Sequence, residues 1–231
     1  MNSNYQKKFF DNDVHQYKKT LLASPPAYVQ DEIGILLQLI PQNVKRVIDF
    51  GCGTGRLSIP LLKKGIKVIG VDISDKSLLI LKKNIEELIP SAKGNFSATT
   101  KIPKEKIQAI VGTDILHHVS LDVIIPKIFA TLSPGGVAIF SEPNALNVLW
   151  YIFLGLFINW EAEKGVVNCS RFNLERIFLR SGFKRIHFHP YAILPPIFFN
   201  SIPLLQRINY SVAKLPIVNI FAYRYIIYAV K

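Results

Sequence analysis

Residues 47–55 read Val-Ile-Asp-Phe-Gly-Cys-Gly-Thr-Gly, and no other stretch restricts the fold so tightly. An apolar run that ends in glycines at alternate positions, Gly51, Gly53 and Gly55, fits a buried parallel strand turning sharply into a helix. The glycines remove side chains where the backbone must bend and where a ligand must lie against it. A second apolar strand, Val68-Ile69-Gly70-Val71, closes on Asp72. That acid sits about 20 residues past the glycines, where a nucleotide fold places the carboxylate that holds a ribose. The spacing is Gly-x-Gly-x-Gly, unlike the Gly-x-Gly-x-x-Gly of dinucleotide folds. Asp49, near the end of the first strand, would repel a pyrophosphate and attract an ammonium or sulfonium.

With these residues the segment resembles motifs I and II of the class I S-adenosylmethionine-dependent methyltransferases. The resemblance continues. Gln108-Ala109-Ile110-Val111 reads as a fourth strand, followed by Thr113-Asp114-Ile115-Leu116-His117-His118-Val119, which is similar to the post-strand segment of the ubiquinone and menaquinone small-molecule methyltransferases. Leu132-Ser133-Pro134-Gly135-Gly136 turns into Val137-Ala138-Ile139-Phe140, and Ser141-Glu142-Pro143-Asn144 closes that fifth strand. Residues 184–188 and 224–231 are similar to strands six and seven. The resemblance covers about 42–190 plus the last strand. It implies an α/β, Rossmann-like, doubly wound, seven-stranded and mostly parallel sheet with helices on both faces. One methyltransferase domain over 1–231 is expected, with an N-terminal helical cap at 1–41, a cofactor-binding core at 42–143, and substrate-side insertions and last strands at 144–231.

The same resemblance implies the site. S-adenosylmethionine is the expected cofactor and S-adenosylhomocysteine its product. Asp72 would hold the ribose hydroxyls, Gly51, Gly53 and Gly55 would admit the methionine portion, and Asp49 would sit near its ammonium. Ile73 would pack on the adenine, Thr113 would face the methionine portion, and Cys52, Ile115 and His118 join the cofactor set. Family members carry an acid after strand three, whereas Phe96-Ser97-Ala98-Thr99-Thr100 has none; Ala98 and Thr99 take its place here. His117 and His118 are the candidate bases, since imidazole titrates near neutral pH and accepts a hydroxyl proton. Glu142, Asn144, Trp150, Tyr5, Tyr17 and also His15 are candidates for substrate contact. No metal is expected: neither cysteine has ligand spacing, and His187-x-His189 lacks a third ligand.

Composition bounds the alternatives. At 231 residues the chain suits one α/β domain with additions, and two cysteines make no disulfide framework. The start, Met1–Lys8, lacks the apolar core of a signal peptide, so the cytoplasm is the expected compartment. A net charge of +12 fits nucleic acid, an anionic membrane, an acidic substrate, or a lysine-rich genome. Against RNA, strand four runs into Thr113-Asp114-Ile115-Leu116 rather than the Asn/Asp-Pro-Pro-Tyr/Phe that grips a base amine, and no cysteine nucleophile is placed for ring carbons. A non-catalytic partner protein that keeps the fold is the third reading, opposed by the intact glycines and Asp72.

Two apolar stretches complete the picture. Residues 144–160 carry no charge and approach membrane-spanning length, yet cofactor-fold strands flank them on both sides. They fit an apolar insertion that builds the acceptor pocket. Residues 191–222 carry aromatics, prolines that exclude one long helix, and a possible amphipathic helix near 203–215 bearing Arg207 and Lys214. This stretch fits peripheral seating on a membrane or a lipid-like substrate, a cap on the protein's own core, or a dimer interface. The leading expectation is methyl transfer to a small, apolar or lipid-like acceptor, O-directed, by a monomer or homodimer.

Overall fold

The computed structural model describes residues 6–7, 11, 19–157 and 163–231, with side chains left out for 153–157. Tyr5, His15 and Tyr17 therefore lie outside the described residues. Seven strands form one sheet: β1 Arg46–Phe50, β2 Lys67–Val71, β3 Phe96–Thr99, β4 Ile107–Thr113, β5 Leu132–Pro143, β6 Arg185–Tyr191 and β7 Arg224–Val230. Their spatial order is β3-β2-β1-β4-β5-β7-β6. The first five run parallel, and β7 inserts antiparallel between β5 and β6. The order reverses between β1 and β4, and an open α/β sheet binds its ligand outside the strand ends at such a point.

The side-chain alternation of each strand sorts the core into two layers. Val47, Val68, Ala109, Val111, Val137, Ile139 and Ile226 share a cluster with helices Ala27–Leu39, Ser58–Lys63 and Asp75–Leu88. Ile48, Phe50, Ile69, Val71, Ile110, Ala138, Phe140 and Ile227 pack on the other face against helices Leu121–Thr131 and Arg171–Arg180. Helix Ala27–Leu39 shows why it forms: Val29, Ile33 and Leu36 are buried at helical spacing, and Pro26 precedes its first turn. Helix Asp75–Leu88 is capped by the Ser74 hydroxyl, which accepts the Ser77 N–H, with Asp75 in the first turn.

The apolar insertion forms helix Val148–Phe157, and no helix among the described residues is long and apolar enough to cross a membrane. Trp150 anchors it by stacking on Tyr223 at 4.5 Å and donating from Nε1 to the Tyr223 carbonyl at 2.6 Å. Between β6 and β7 the chain breaks into the short turn Pro196–Phe199 and helix Pro203–Val212, as its prolines require. Asn209 ties that helix down: its Oδ1 accepts the N–H groups of Ile193 and Leu194.

Candidate active site

A cavity of about 780 Å³ opens where the sheet order reverses. It lies on the face of the sheet to which Phe50 and Val71 belong, and those two residues, paired across β1 and β2, line it. The glycine loop is pulled over the strand ends by Gly51 and Cys52, whose N–H groups both donate to the Val71 carbonyl at 2.7 and 3.1 Å. Gly51 has φ +76°, and a Cβ there would fall 2.4 Å from Ile115. Only glycine lets the loop and the post-β4 segment meet across the cavity floor.

Asp72 stands on the wall with its carboxylate already oriented. Its Oδ2 accepts the Gly53 N–H at 2.8 Å and its Oδ1 accepts the Ser74 N–H at 2.9 Å. Burial raises its pKa, while the hydrogen bonds from Ser74 and Gly53 oppose that rise. A carboxylate has about four acceptor sites, so lone pairs remain for two neighbouring hydroxyls. Ile73 lies beside it, exposed as an apolar surface for a flat ring. Gly51, Gly53, Ile115 and His118 also line the cavity.

Several expected contacts lie elsewhere, for reasons of strand alternation. Asp49 shares a sheet face with Val47, not with Phe50, and so points beneath the loop. It is 1% exposed, and Ser58 Oγ donates to its Oδ2 at 2.6 Å. Burial lifts its pKa to about 7, against the Ser58 hydroxyl and with the charge of Asp72. Thr113 falls on the same face as Val111, and Ala98 packs into that layer too. Cys52 is a core residue beside Gly70, and Gly55 packs on Leu81 and Ile59. None of these lines the cavity. Thr99 stops short of it as well; its hydroxyl accepts the Lys101 N–H, and the wall is built from Thr100, Lys101 and Ile102 instead.

The residues at and after the end of β5 that were expected to meet the acceptor bond to other parts of the chain. Glu142 is fully buried: Oε1 accepts the N–H groups of Ile115 at 2.8 Å and Leu116 at 2.7 Å, which pins the turn Leu116–His118. Asn144 donates to the carbonyls of Ile220 and Ala222, and Trp150 is buried against Tyr223. The two histidines differ. His117 has Nδ1 2.7 Å from Glu142 Oε2 and Nε2 3.0 Å from Glu163 Oε2. Burial lowers its pKa, but the charges and hydrogen bonds of Glu142 and Glu163 outweigh that and raise it to about 10. Both ring nitrogens of His117 thus face carboxylates, and the ring does not line the cavity. His118 is the histidine on the cavity wall.

Sequence reasoning missed a charge network that reaches the cavity wall at Asp114, whose side chain is 32% exposed. Arg56 donates to Asp114 Oδ2 and to Glu32 Oε2, each at 2.6 Å. Arg224 reaches Asp114 Oδ1 at 2.5 Å and lies 3.3 Å from Glu32 Oε1. Asp114 has φ +54°, a strained value for a non-glycine residue. Burial would raise its pKa, yet Arg224 and Arg56 hold it well below the ordinary carboxylate range. Four segments meet here: helix Ala27–Leu39, the glycine loop, the post-β4 turn and β7. Only the pairing of charges in space reveals them. From the N-terminal piece, Gln6 lines the cavity and Asp11 accepts the Ser74 hydroxyl at 2.7 Å.

Comparison with known proteins agrees with this architecture. A family model described as a methyltransferase domain matches residues 26–187. A ubiquinone biosynthesis O-methyltransferase of Bradyrhizobium diazoefficiens is 30% identical over 101 residues, covering 43% of this chain and 40% of that protein. An uncharacterized methyltransferase of Bacillus thuringiensis is 29% identical over 137 residues, covering 58% of this chain and 60% of its own length. The chain thus spans about half the length of these curated relatives. Among solved structures, a possible histamine N-methyltransferase from Thermotoga maritima superposes with TM-score 0.67 at 18% identity, covering 98% of this chain and 99% of that one. Magnesium protoporphyrin IX methyltransferase from Synechocystis gives 0.64 at 19% identity, with 100% of both chains covered. At such identities the structures speak for the fold alone. The family match, the switch-point cavity and the oriented Asp72 agree, and the chain belongs to the class I S-adenosylmethionine-dependent methyltransferases.

Proposed function

We propose that this protein moves the methyl group of S-adenosylmethionine to an oxygen of a small, apolar acceptor. The carrying observation is the cavity: a poised carboxylate, Asp72, at one part of its wall, and His118 with apolar side chains such as Ile102, Val119, Val123 and Ile124 at another. The cofactor fits these residues. Asp72 would accept from the ribose hydroxyls, Ile73 would cover the adenine, and the Gly51 and Gly53 backbone would admit the methionine portion. When bound, the sulfonium supplies an activated methyl group and leaves as a neutral thioether. The chain's own task is to hold the acceptor in line, exclude water and assist loss of the acceptor proton. His118 is the residue assigned to acceptor activation. Glu142 acts by fixing the turn that carries it. Oxygen as the methylated atom is supported by the curated relative named as an O-methyltransferase.

The reading extends to where the acceptor is met. Phe198, Leu204, Leu205, Ile208, Leu215, Ile217 and Phe221 stand exposed along residues 196–221. Arg207 and Lys214 lie among them, and no Asp or Glu occurs between Arg176 and Lys231. Apolar side chains with two cations among them and no acids match an anionic membrane surface, and we assign this face to peripheral membrane contact. The experiment is incubation with S-adenosylmethionine carrying a labelled methyl, offered separately a lipid extract and total RNA. Label entering a lipid-soluble small molecule at oxygen supports the reading. Label in RNA, or none in any lipid-soluble product, overturns it.

A further inference from the structure

His117, His118 and Glu163 converge beside the cavity. One ligating atom of each lies within 4.8 Å of the others. His117 Nε2 is 3.0 Å from Glu163 Oε2, and His118 Nε2 is 3.8 Å from Glu163 Oε1. The second spacing is too long for a hydrogen bond. The first spacing falls within the edges of a coordination polyhedron, about 3.0–3.4 Å when bonds are about 2.0–2.1 Å, and the second exceeds them by about 0.4 Å. A simple ion pair accounts for one imidazolium with one carboxylate, and Glu142 already fills that part on His117 Nδ1 at 2.7 Å. Glu163 adds a second carboxylate, set between the two imidazoles.

Two further observations point the same way. Glu142 stands where the outer carboxylate of a metal-bound histidine stands, fixing the ring and leaving Nε2 to coordinate. Glu142 is itself locked by the N–H groups of Ile115 and Leu116. Gly165, two residues past Glu163, sits so close to the histidine turn that a Cβ there would fall 1.7 Å from the His117 carbonyl oxygen. Only glycine lets the Glu163 segment close on the two rings. The sequence hid this grouping because Glu163 is 46 positions from His117 and comes from a different element.

We propose that His117, His118 and Glu163 bind one divalent transition-metal ion, with zinc the best chemical fit. Two imidazoles and one carboxylate form a ligand set that leaves a position open for a water or substrate oxygen. His118 also lines the cavity, so the acceptor would reach that position from there. The ion's use, though not its presence, rests on the methyl-transfer reading. An acceptor hydroxyl on the ion loses its proton to solvent. Its oxygen lone pair then forms the new O–C bond while the C–S bonding pair returns to sulfur. His118 thus activates the acceptor through the ion.

The test uses the full chain, stripped with a chelator, dialysed against Zn²⁺ and analysed for metal, with Co²⁺ as a second probe for visible d–d absorption. Wild type should hold one ion per chain. His118→Ala and Glu163→Gln should each weaken zinc binding tenfold or more, and Glu142→Gln should weaken it about 10–100-fold. The double change His187→Ala, His189→Ala should leave binding unchanged. Calorimetric binding of S-adenosylhomocysteine to each variant reports whether its cofactor site is folded. No zinc on the wild type, zinc retained by both folded variants His118→Ala and Glu163→Gln, or zinc lost with the His187/His189 pair overturns the proposal. Retained S-adenosylhomocysteine binding in that event leaves the methyltransferase reading standing.

Discussion

Asp49 offers a prediction whose size follows from its surroundings. Its carboxylate is 1% exposed beneath the glycine loop and meets one hydroxyl, Ser58 Oγ, at 2.6 Å. Burial lifts its pKa from an ordinary 3.8 to about 7. The unfolded chain therefore ionises Asp49 near pH 4, whereas the folded chain keeps it protonated to about pH 7. The stability it contributes is fully present below pH 4, falls through the interval, and is gone above pH 7. A gap of about 3 in pKa at about 1.36 kcal/mol each makes that loss about 4 kcal/mol. Asparagine at this position keeps an acceptor for Ser58 and cannot ionise. Any misfit of its amide is a constant that does not vary with pH. Asp114, held low by Arg224 and Arg56, has the opposite sign and gains stability as pH rises through the acid range. Comparing wild type with Asp49→Asn cancels that contribution. Urea unfolding followed by circular dichroism at pH 4, 5.5, 7 and 8.5 gives both curves. The difference should shift by about 4 kcal/mol in favour of Asp49→Asn between pH 4 and 8. Parallel curves would refute the argument that burial governs this carboxylate.

Other expectations follow from the same contacts. Glu32→Gln leaves Arg56 and Arg224 with one shared carboxylate in a buried site and should destabilise the fold by about 3–5 kcal/mol, read from urea midpoints; a loss below 1 kcal/mol would show the network to be incidental. Gly51→Ala forces a Cβ toward Ile115 at positive φ, so S-adenosylhomocysteine affinity should fall at least tenfold while the circular dichroism spectrum is kept. Phe198→Glu with Leu204→Glu removes two of the most exposed apolar side chains of the basic face and should lower sedimentation with anionic vesicles about 100-fold or more, at about 1.5–3 kcal/mol for each side chain buried. Unchanged sedimentation would move the face from membrane contact to other uses.

Much of the fold was legible because the constraints were local. Continuous apolar runs marked the buried parallel strands, the resemblance supplied the later ones, and the glycine loop with Asp72 located the sheet reversal, where the cavity lies. Asp72, Ile73, Gly51, Gly53, Ile115 and His118, all in the expected cofactor set, line that cavity. The expected contacts that lie away from the cavity share one physical cause. Closeness to the loop along the chain does not say which face of a strand a side chain takes. Asp49 and Thr113 follow the parity of Val47 and Val111, away from the cavity, while Phe50 and Val71 face it. Glu142, Asn144 and Trp150 look like pocket residues in a post-strand segment, yet each satisfies buried backbone groups of another element. Lys101, Ile102, Val123 and Lys127 join the wall through tertiary folding alone, and nothing in their local pattern marks them. The Glu32–Arg56–Asp114–Arg224 network and Glu163 were out of reach for the same reason.

The central claim is that Asp72 grips the ribose of the cofactor. Calorimetric titration of wild type and Asp72→Ala with S-adenosylhomocysteine tests it most directly. Two hydrogen bonds to a charged acceptor, at about 1.5–3 kcal/mol each, predict micromolar-range binding to wild type and an affinity about 100-fold weaker or worse in the variant. Equal affinity in the two proteins, or no binding to wild type, would contradict it.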